Sequence, residues 1–326
     1  MDFLHSLLVF PLMGVSAWAW VLFFAVVLAL VVFDLGVLNK KDKVMSFKSS
    51  VRLTLFYIAC SVLFGVWIYF QFGTERAFPY FTAYLVEKSL SLDNVFVISV
   101  IFAYYKIPLQ YQHRVLFWGI IGVIVLRGLV LSAGPYLTAH FEWLLYIFAL
   151  LLIYTGIKIF FSDDDDDMDI ENSRITKVLT KSFNITNTLQ GSRFYIWKSN
   201  ETSFIKRFQF TPLFMALVTI EFADVLFAMD SIPAVLAIST DTFVILTSNV
   251  FAILGLRAMY FMLATLLERF EYLKYALSAV LIFIGAKVFY AHFVHKIDPL
   301  VSLSVTLGVL TIGAVISFAK TKKTSD

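Results

Sequence analysis

Long apolar runs separated by short polar connections organise the chain from end to end. A helix that crosses a bilayer needs about 20 apolar residues. Nine stretches supply them, at roughly 15–38, 51–72, 79–103, 115–137, 142–161, 211–238, 242–266, 270–292 and 297–319. This pattern predicts an all-α polytopic membrane protein with about nine transmembrane helices. The one long polar interval, 162–210, opens with SDDDDDMDIE and continues as a basic stretch rich in Asn and Thr. An acidic run such as 163–167 is ordinarily a solvated linker; an antenna that gathers metal at the mouth of a pathway is the sharper alternative.

Positive charge is spread unevenly over the connections and gives the predicted helices a direction. Lys40, Lys41, Lys43, Lys48 and Arg52 follow the first, Lys106 and Arg114 the third, Arg269 and Lys274 the seventh, and Lys320, Lys322 and Lys323 the ninth. The alternate connections hold only Arg76 and Lys296. By the positive-inside rule the N terminus is periplasmic and the C terminus cytoplasmic, as an odd number of spans requires. Loop 162–210 is then cytoplasmic, so its two Asn-X-Thr sequons, at Asn184 and Asn200, would not meet a glycosylation enzyme. Trp18, Trp20, Trp67 and Trp143 fall near the outer interface, where aromatic belts form. Residues 1–14 contain no Lys or Arg and do not resemble a signal peptide.

Composition agrees and removes several function classes. Hydrophobic residues make up 60% and charged residues 15% of the 326, against roughly 25% charged in soluble domains; mean hydropathy is +0.83. A net charge of +3 is too small to argue for a nucleic-acid partner. A single cysteine, Cys60, excludes an internal disulfide or thiolate cluster. The five histidines lie at or near the ends of apolar runs and offer no intramembrane imidazole site. No nucleophile with a base at usable spacing and no Gly-rich phosphate loop is present, so neither an enzyme nor an ATP-driven pump is expected, and no prosthetic group is called for.

A repeat lies in the middle of the chain. EKSLSLDN begins at Glu87 and DVLFAMDS at Asp224, which sets Glu87, Asp93 and Asn94 against Asp224, Asp230 and Ser231 at an offset of 137. FEWLLY at 141 matches FEYLKY at 270, and GIKIFF at 156 matches GAKVFY at 285, both at an offset of 129. Each copy (79–161 and 211–292) holds three predicted helices, the third to fifth and the sixth to eighth. An odd number per copy forces the two into opposite orientations. Inverted repeats meeting at a midplane site are a recurring plan of secondary transporters, so 1–326 is read as one transmembrane transporter domain, with 297–326 a closing helix and tail.

The chemistry sits in carboxylates within those apolar helices. Each costs about 2.5–3.5 kcal/mol at a helix centre on insertion scales. Glu87, Asp93, Glu221, Asp224 and Asp230 are tolerated only if protonated, paired or bound to a cation. Arg127 and Arg257 are the available counter-charges and leave an acidic surplus that a divalent cation would neutralise. At 100° per residue Glu87, Ser91 and Asn94 share a face with Asp93 about 120° away, and Glu221, Asp224, Ala228 and Ser231 share another with Asp230 nearly opposite Glu221. A helix break is therefore expected, and Pro233 would supply it by freeing the carbonyl of Met229. Carboxylate, amide, hydroxyl and carbonyl oxygens suit Mg²⁺, Ca²⁺ and Mn²⁺. Met229 itself reads as packing, Lys158 and Lys287 as snorkelling residues at matched helix ends, and Asp34 as interfacial or part of the site.

The motifs EKSLSLDNVFV and EFADVLFAMDSIPAV closely resemble the TerC family of bacterial inner-membrane proteins, named after tellurium resistance, and its Alx-like branch above all, with the LysE-type exporter superfamily behind it. The resemblance covers about Trp20 to Lys320. It implies a metal site of Glu87, Asp93, Asn94, Glu221, Asp224, Asp230 and Ser231, with Asp34 at an acidic position of the first helix. It also implies export of Mn²⁺, with Ca²⁺ as alternative substrate, protons as a candidate counter-ion, and manganese homeostasis as the setting. The alternative is a membrane scaffold for tellurite resistance or metal loading of secreted proteins, meeting protein partners through loop 162–210. Met229 stands where a valine-like residue is common, and the five-aspartate run is peculiar to this chain.

Overall fold

The computed structural model describes residues 11, 12, 14–38, 46–161, 186, 189, 191–197, 208–269, 273–295 and 297–324. Among them are nine helices: α1 (Ala17–Leu38), α2 (Phe47–Phe72), α3 (Thr74–Tyr104), α4 (Leu109–Phe161), α5 (Pro212–Ile238), α6 (Thr242–Leu254), α7 (Leu256–Arg269), α8 (Leu273–Phe293) and α9 (Pro299–Thr324). Two small antiparallel pairs accompany them, β1 (Pro11–Leu12) with β2 (Val15–Ser16) and β3 (Tyr195–Trp197) with β4 (Phe208–Phe210). The protein is an all-α polytopic membrane protein. Seven segments are long and apolar enough to cross a bilayer: Ala17–Asp34, Phe47–Phe72, Leu109–Val130, Pro212–Met229, Thr242–Leu266, Lys274–Ala291 and Pro299–Ser317. Of the two other expected spans, α3 has the length but carries Glu75, Arg76, Glu87, Lys88 and Asp93, and Leu145–Phe161 is a shorter apolar segment.

Local chemistry explains several boundaries. Ser46 caps α2 by accepting from the Ser49 amide at 3.4 Å. Asp241 caps α6 by accepting from Phe243 and Val244. Asp241 also receives Arg76 Nε at 2.7 Å, while Arg76 Nη2 donates to the Gly14 carbonyl at 2.9 Å. Gly14, in the β1–β2 turn with φ of +80°, thus joins the starts of α3 and α6. Pro212 opens α5, where its missing N–H costs nothing.

Three boundaries differ from expectation. The fourth and fifth predicted helices form one helical run, α4. Its 53 residues would be about 80 Å long if straight, yet Val130 packs on Ala228 while Phe148 meets the Phe227 ring at 5.5 Å. Eighteen residues span about 27 Å along a straight helix, so α4 is bent between Val130 and Phe148, and its two parts form two arms. Pro233 does not break α5, which stays helical to Ile238; a proline removes one hydrogen bond, and a long helix buried among others absorbs that loss. The interruption falls in the seventh predicted helix, at Gly255, between α6 and α7.

The combined span Thr242–Leu266 is enclosed by the other helices, and α9 lies at the periphery. Large apolar side chains such as Phe24, Leu28, Phe70, Phe78 and Ile312 are exposed on the outside, as lipid-facing residues are. The second arm of α4 packs on α8 through glycines. A Cβ on Gly156 would lie 2.9 Å from the Ser278 carbonyl and 2.8 Å from Ile282 Cγ1, and one on Gly285 would lie 2.6 Å from both the Ala149 carbonyl and Ile153 Cγ1. Adding 129 to Ala149, Ile153 and Gly156 gives Ser278, Ile282 and Gly285, so these contacts are reciprocal. The rings repeat the pattern: Tyr146 stacks on Phe289 at 5.9 Å, and Phe160 meets Tyr275 at 5.5 Å. A two-fold axis between the two segments produces such reciprocity.

Candidate metal site and its counter-charges

Helix α3 sends its acids in two directions, as the 100° spacing requires. On one face lie Glu87 and Asn94, on another Asp93. From the first arm of α4, Arg127 reaches between α3, α5 and α6. Its Nη1 donates to Glu87 Oε2 at 2.5 Å and to Asn249 Oδ1 at 2.8 Å. Its Nε and Nη2 fork onto the two oxygens of Asp224 at 3.1 and 3.2 Å. Asn94 Nδ2 donates to Asp224 Oδ1 at 3.1 Å. Glu87 and Asp224, the first carboxylates of the two motif copies, therefore converge on one guanidinium. All five side chains are buried. Two carboxylates against one guanidinium leave one negative charge. Among the described residues, Glu87 Oε1 and Asn94 Oδ1 have no hydrogen-bond partner. Asn94 and Asp224 also line a cavity of about 20 Å³, closed by Phe227, Ile253 and neighbouring apolar residues; that is room for one water-sized occupant.

Glu221, one turn before Asp224, lies against the first arm of α4. A Cβ on Gly122 would be 2.4 Å from its Oε1, so glycine makes the space for this carboxyl. Neither of its oxygens has a hydrogen-bond partner among the described residues. Ser231 Oγ donates to the Ala228 carbonyl at 3.2 Å. The Asp230 backbone is helical, and its side chain lies outside the described residues, as does the run 163–167.

The other two acids have partners of their own. Asp93 Oδ2 receives Lys287 Nζ of α8 at 2.8 Å, Thr306 of α9 approaches Oδ1 at 3.5 Å, and Lys287 also reaches Ser302 at 3.4 Å. A second cavity of about 20 Å³ lies here, also bounded by Phe227. Asp34 pairs with Arg257 Nη2, whose nitrogen also reaches the Asp34 carbonyl at 3.3 Å. Lys88 donates from Nζ to the Ala252 carbonyl at 3.0 Å, at the C-terminal end of α6, and a Cβ on Gly255 would come within 2.8 Å of that nitrogen.

The site predicted from sequence is thus brought together in part. Glu87, Asn94 and Asp224 meet; Asp93, Asp34 and Glu221 each stand elsewhere. Among the described residues no three His, Cys, Asp or Glu side chains gather around one point. Arg127 and Arg257 act as counter-charges. Lys287 is a correction: it is buried in an ion pair rather than snorkelling, whereas its repeat counterpart Lys158 is exposed. With Lys88 and Lys287 added, the acidic surplus inferred from two arginines shrinks. Asn249 gave no sequence signal, since a lone amide in an apolar helix names no partner. The arginines do carry one: VLRG at 125 matches GLRA at 255 at an offset of 130, one residue from the 129 of the following matches, which sets Arg127 and Arg257 at corresponding places.

Comparison with known proteins converges on one group. The family described as "Integral membrane protein TerC family" matches residues 72–325. An uncharacterized membrane protein of Rickettsia felis is 50% identical over 302 residues, covering 93% of this chain and 98% of the relative. Another, from Myxococcus xanthus, is 43% identical over 97% of each chain. A protein of Salmonella typhi named "Putative membrane-bound redox modulator Alx" is 39% identical, with 91% of this chain and 93% of the relative covered. No solved structure matches.

Proposed function

Because the chain belongs to the TerC family of integral membrane proteins, we propose that it is a secondary transporter exporting a hard divalent cation from the cytoplasm across a bacterial inner membrane. Mn²⁺ is the first candidate and Ca²⁺ the alternative, with protons as counter-ion. The observation that carries this reading is the buried meeting of Glu87 and Asp224. Matched positions of two repeat copies supply one oxygen-rich cluster whose charge is one short of neutral. An ionised excess acid costs several kcal/mol when buried, a cost that a passing cation, or a proton as its counter-ion, would remove.

In this reading Glu87, Asp224 and Asn94 are the first ligands, all oxygen donors suited to a hard ion. Glu221, held one turn away on Gly122, is the next acid along the path, and Asp93, Asp230 and Ser231 complete the candidate set; Asp34, paired with Arg257, is read as a fastening outside it. The N terminus is placed in the periplasm and the C terminus in the cytoplasm. The test is Mn²⁺ uptake into inside-out vesicles or proteoliposomes containing the purified chain, with Asp224→Ala, Glu87→Ala, Asp93→Ala and Asp230→Ala beside it. The parent is expected to accumulate Mn²⁺ and Asp224→Ala to fall to the level of empty vesicles. Equal transport by parent and Asp224→Ala would sink the site assignment.

The names borne by the Alx relatives favour a second reading, a redox role in the membrane or a scaffold there. Redox chemistry on the chain's own residues would centre on Cys60, its single thiol, and a scaffold would meet its partners through loop 162–210. Vesicles that move no Mn²⁺, together with a Cys60→Ser phenotype in cells, would decide for the redox role.

A further inference from the structure

We propose that Arg127 is a tethered competitor of the transported cation: it occupies the Glu87–Asp224 pair when no ion is bound and must let go for an ion to enter. The inference rests on the transport reading above and adds a mechanism of release to it.

The geometry points this way in three respects. First, Arg127 presents three of its nitrogens to the cluster, Nη1 to Glu87 and Asn249, Nε and Nη2 to Asp224. Both Asp224 oxygens are therefore engaged, and a cation can take that carboxylate only by displacing the fork. Second, what the guanidinium leaves unused is what a hard ion wants. Glu87 and Asn94 are 1% and 4% exposed, yet each keeps one oxygen without a partner, and Asn94 shares with Asp224 the wall of a water-sized cavity. Third, the charges are graded. The pair with Arg127 carries one negative charge, enough to attract a divalent ion; the pair without it carries two and would hold that ion too firmly to release. A buried cation that returns to the carboxylates as the ion departs keeps the site from being left doubly charged, which costs several kcal/mol in a water-poor interior.

The repeat counterpart sharpens the assignment. Arg257 occupies the equivalent position but binds Asp34, a carboxylate outside the duplicated motif. The central pair thus depends on Arg127 as its one guanidinium among the described residues, whereas the Arg257–Asp34 pair matches one guanidinium to one carboxylate, with Arg257 Nε left without a described partner.

The experiment measures Mn²⁺ binding to purified chain in lipid nanodiscs, reading free Mn²⁺ by EPR at pH 8, where protons compete least for the carboxylates, and turnover in proteoliposomes. Arg127→Gln is expected to lower the Kd for Mn²⁺ at least tenfold and to slow turnover at least tenfold. Its thermal unfolding temperature should fall without metal and be restored by Mn²⁺ more than the parent's is raised. Arg127→Lys keeps the charge as a point donor that cannot fork, and is expected to bind about threefold tighter than the parent; it decides the matter if the Gln variant does not fold. Unchanged or weaker Mn²⁺ binding in the folded variants overturns the proposal and leaves Arg127 as structural. A parent that neither binds nor moves Mn²⁺ overturns the transport reading instead.

Discussion

Arg127 and Arg257 occupy equivalent places in the two halves of the chain and end in different company. Arg257 faces one carboxylate, Asp34, and the pair is neutral. Arg127 faces two, Glu87 and Asp224, with Asn249 and Asn94 around them, and the group keeps a negative charge. A neutral buried pair can be exchanged for apolar side chains with little harm, while removing one partner strands the other. An unbalanced group resists such exchange if its charge is what the protein uses. Under the proposed function, the contrast separates a fastening from a working site.

The largest test of that contrast is Asp224→Ala. Mn²⁺ transport in proteoliposomes should drop to background, about 100-fold or more, while the chain still folds because Glu87 keeps Arg127 paired. Next comes Asp34→Ala, which strands Arg257 and should lower stability by about 3–5 kcal/mol, read as a fall in unfolding temperature. The double change Asp34→Leu with Arg257→Leu should recover most of that loss and retain transport; if it abolishes transport in a folded protein, Asp34 belongs to the pathway and the contrast fails. Lys287→Met should cost about 3 kcal/mol by stranding Asp93, with Asp93→Leu as the compensating partner. Smaller still are Gly156→Ala and Gly285→Ala. Each drives a methyl group against a backbone carbonyl of the opposing segment, for about 1–3 kcal/mol apiece. Their reciprocal settings predict similar losses, so a several-fold disparity would break the equivalence.

Much of this was legible in the sequence, and the misses have physical causes. The spans follow from hydropathy, and even α4, one continuous run, reads as two apolar stretches around Gly134-Pro135. Glu87 and Asp224 are paired by the 137-residue repeat, and Asp93 is turned from them by helical phase alone. Lysine near a helix end ordinarily reaches water; only the fold brings Lys287 to Asp93, 194 positions away. The helix interruption was placed at Pro233 on the strength of proline chemistry, but it falls at Gly255, where Lys88 needs the room of an absent side chain. Close approach, unlike a missing N–H, leaves no mark in a single sequence.

The reciprocal packing of the second α4 arm on α8 carries a consequence for motion. In a transporter built from inverted copies, the outward-open and inward-open shapes are reached when the copies trade conformations. A contact in which Gly156 meets Ser278 as Gly285 meets Ala149, and in which Tyr146–Phe289 is answered by Tyr275–Phe160, maps onto itself under that trade. On the transport reading proposed above, it would stay closed throughout the cycle, an axle about which the halves rock, while the unequal partnerships of the two arginines would be the parts free to change hands.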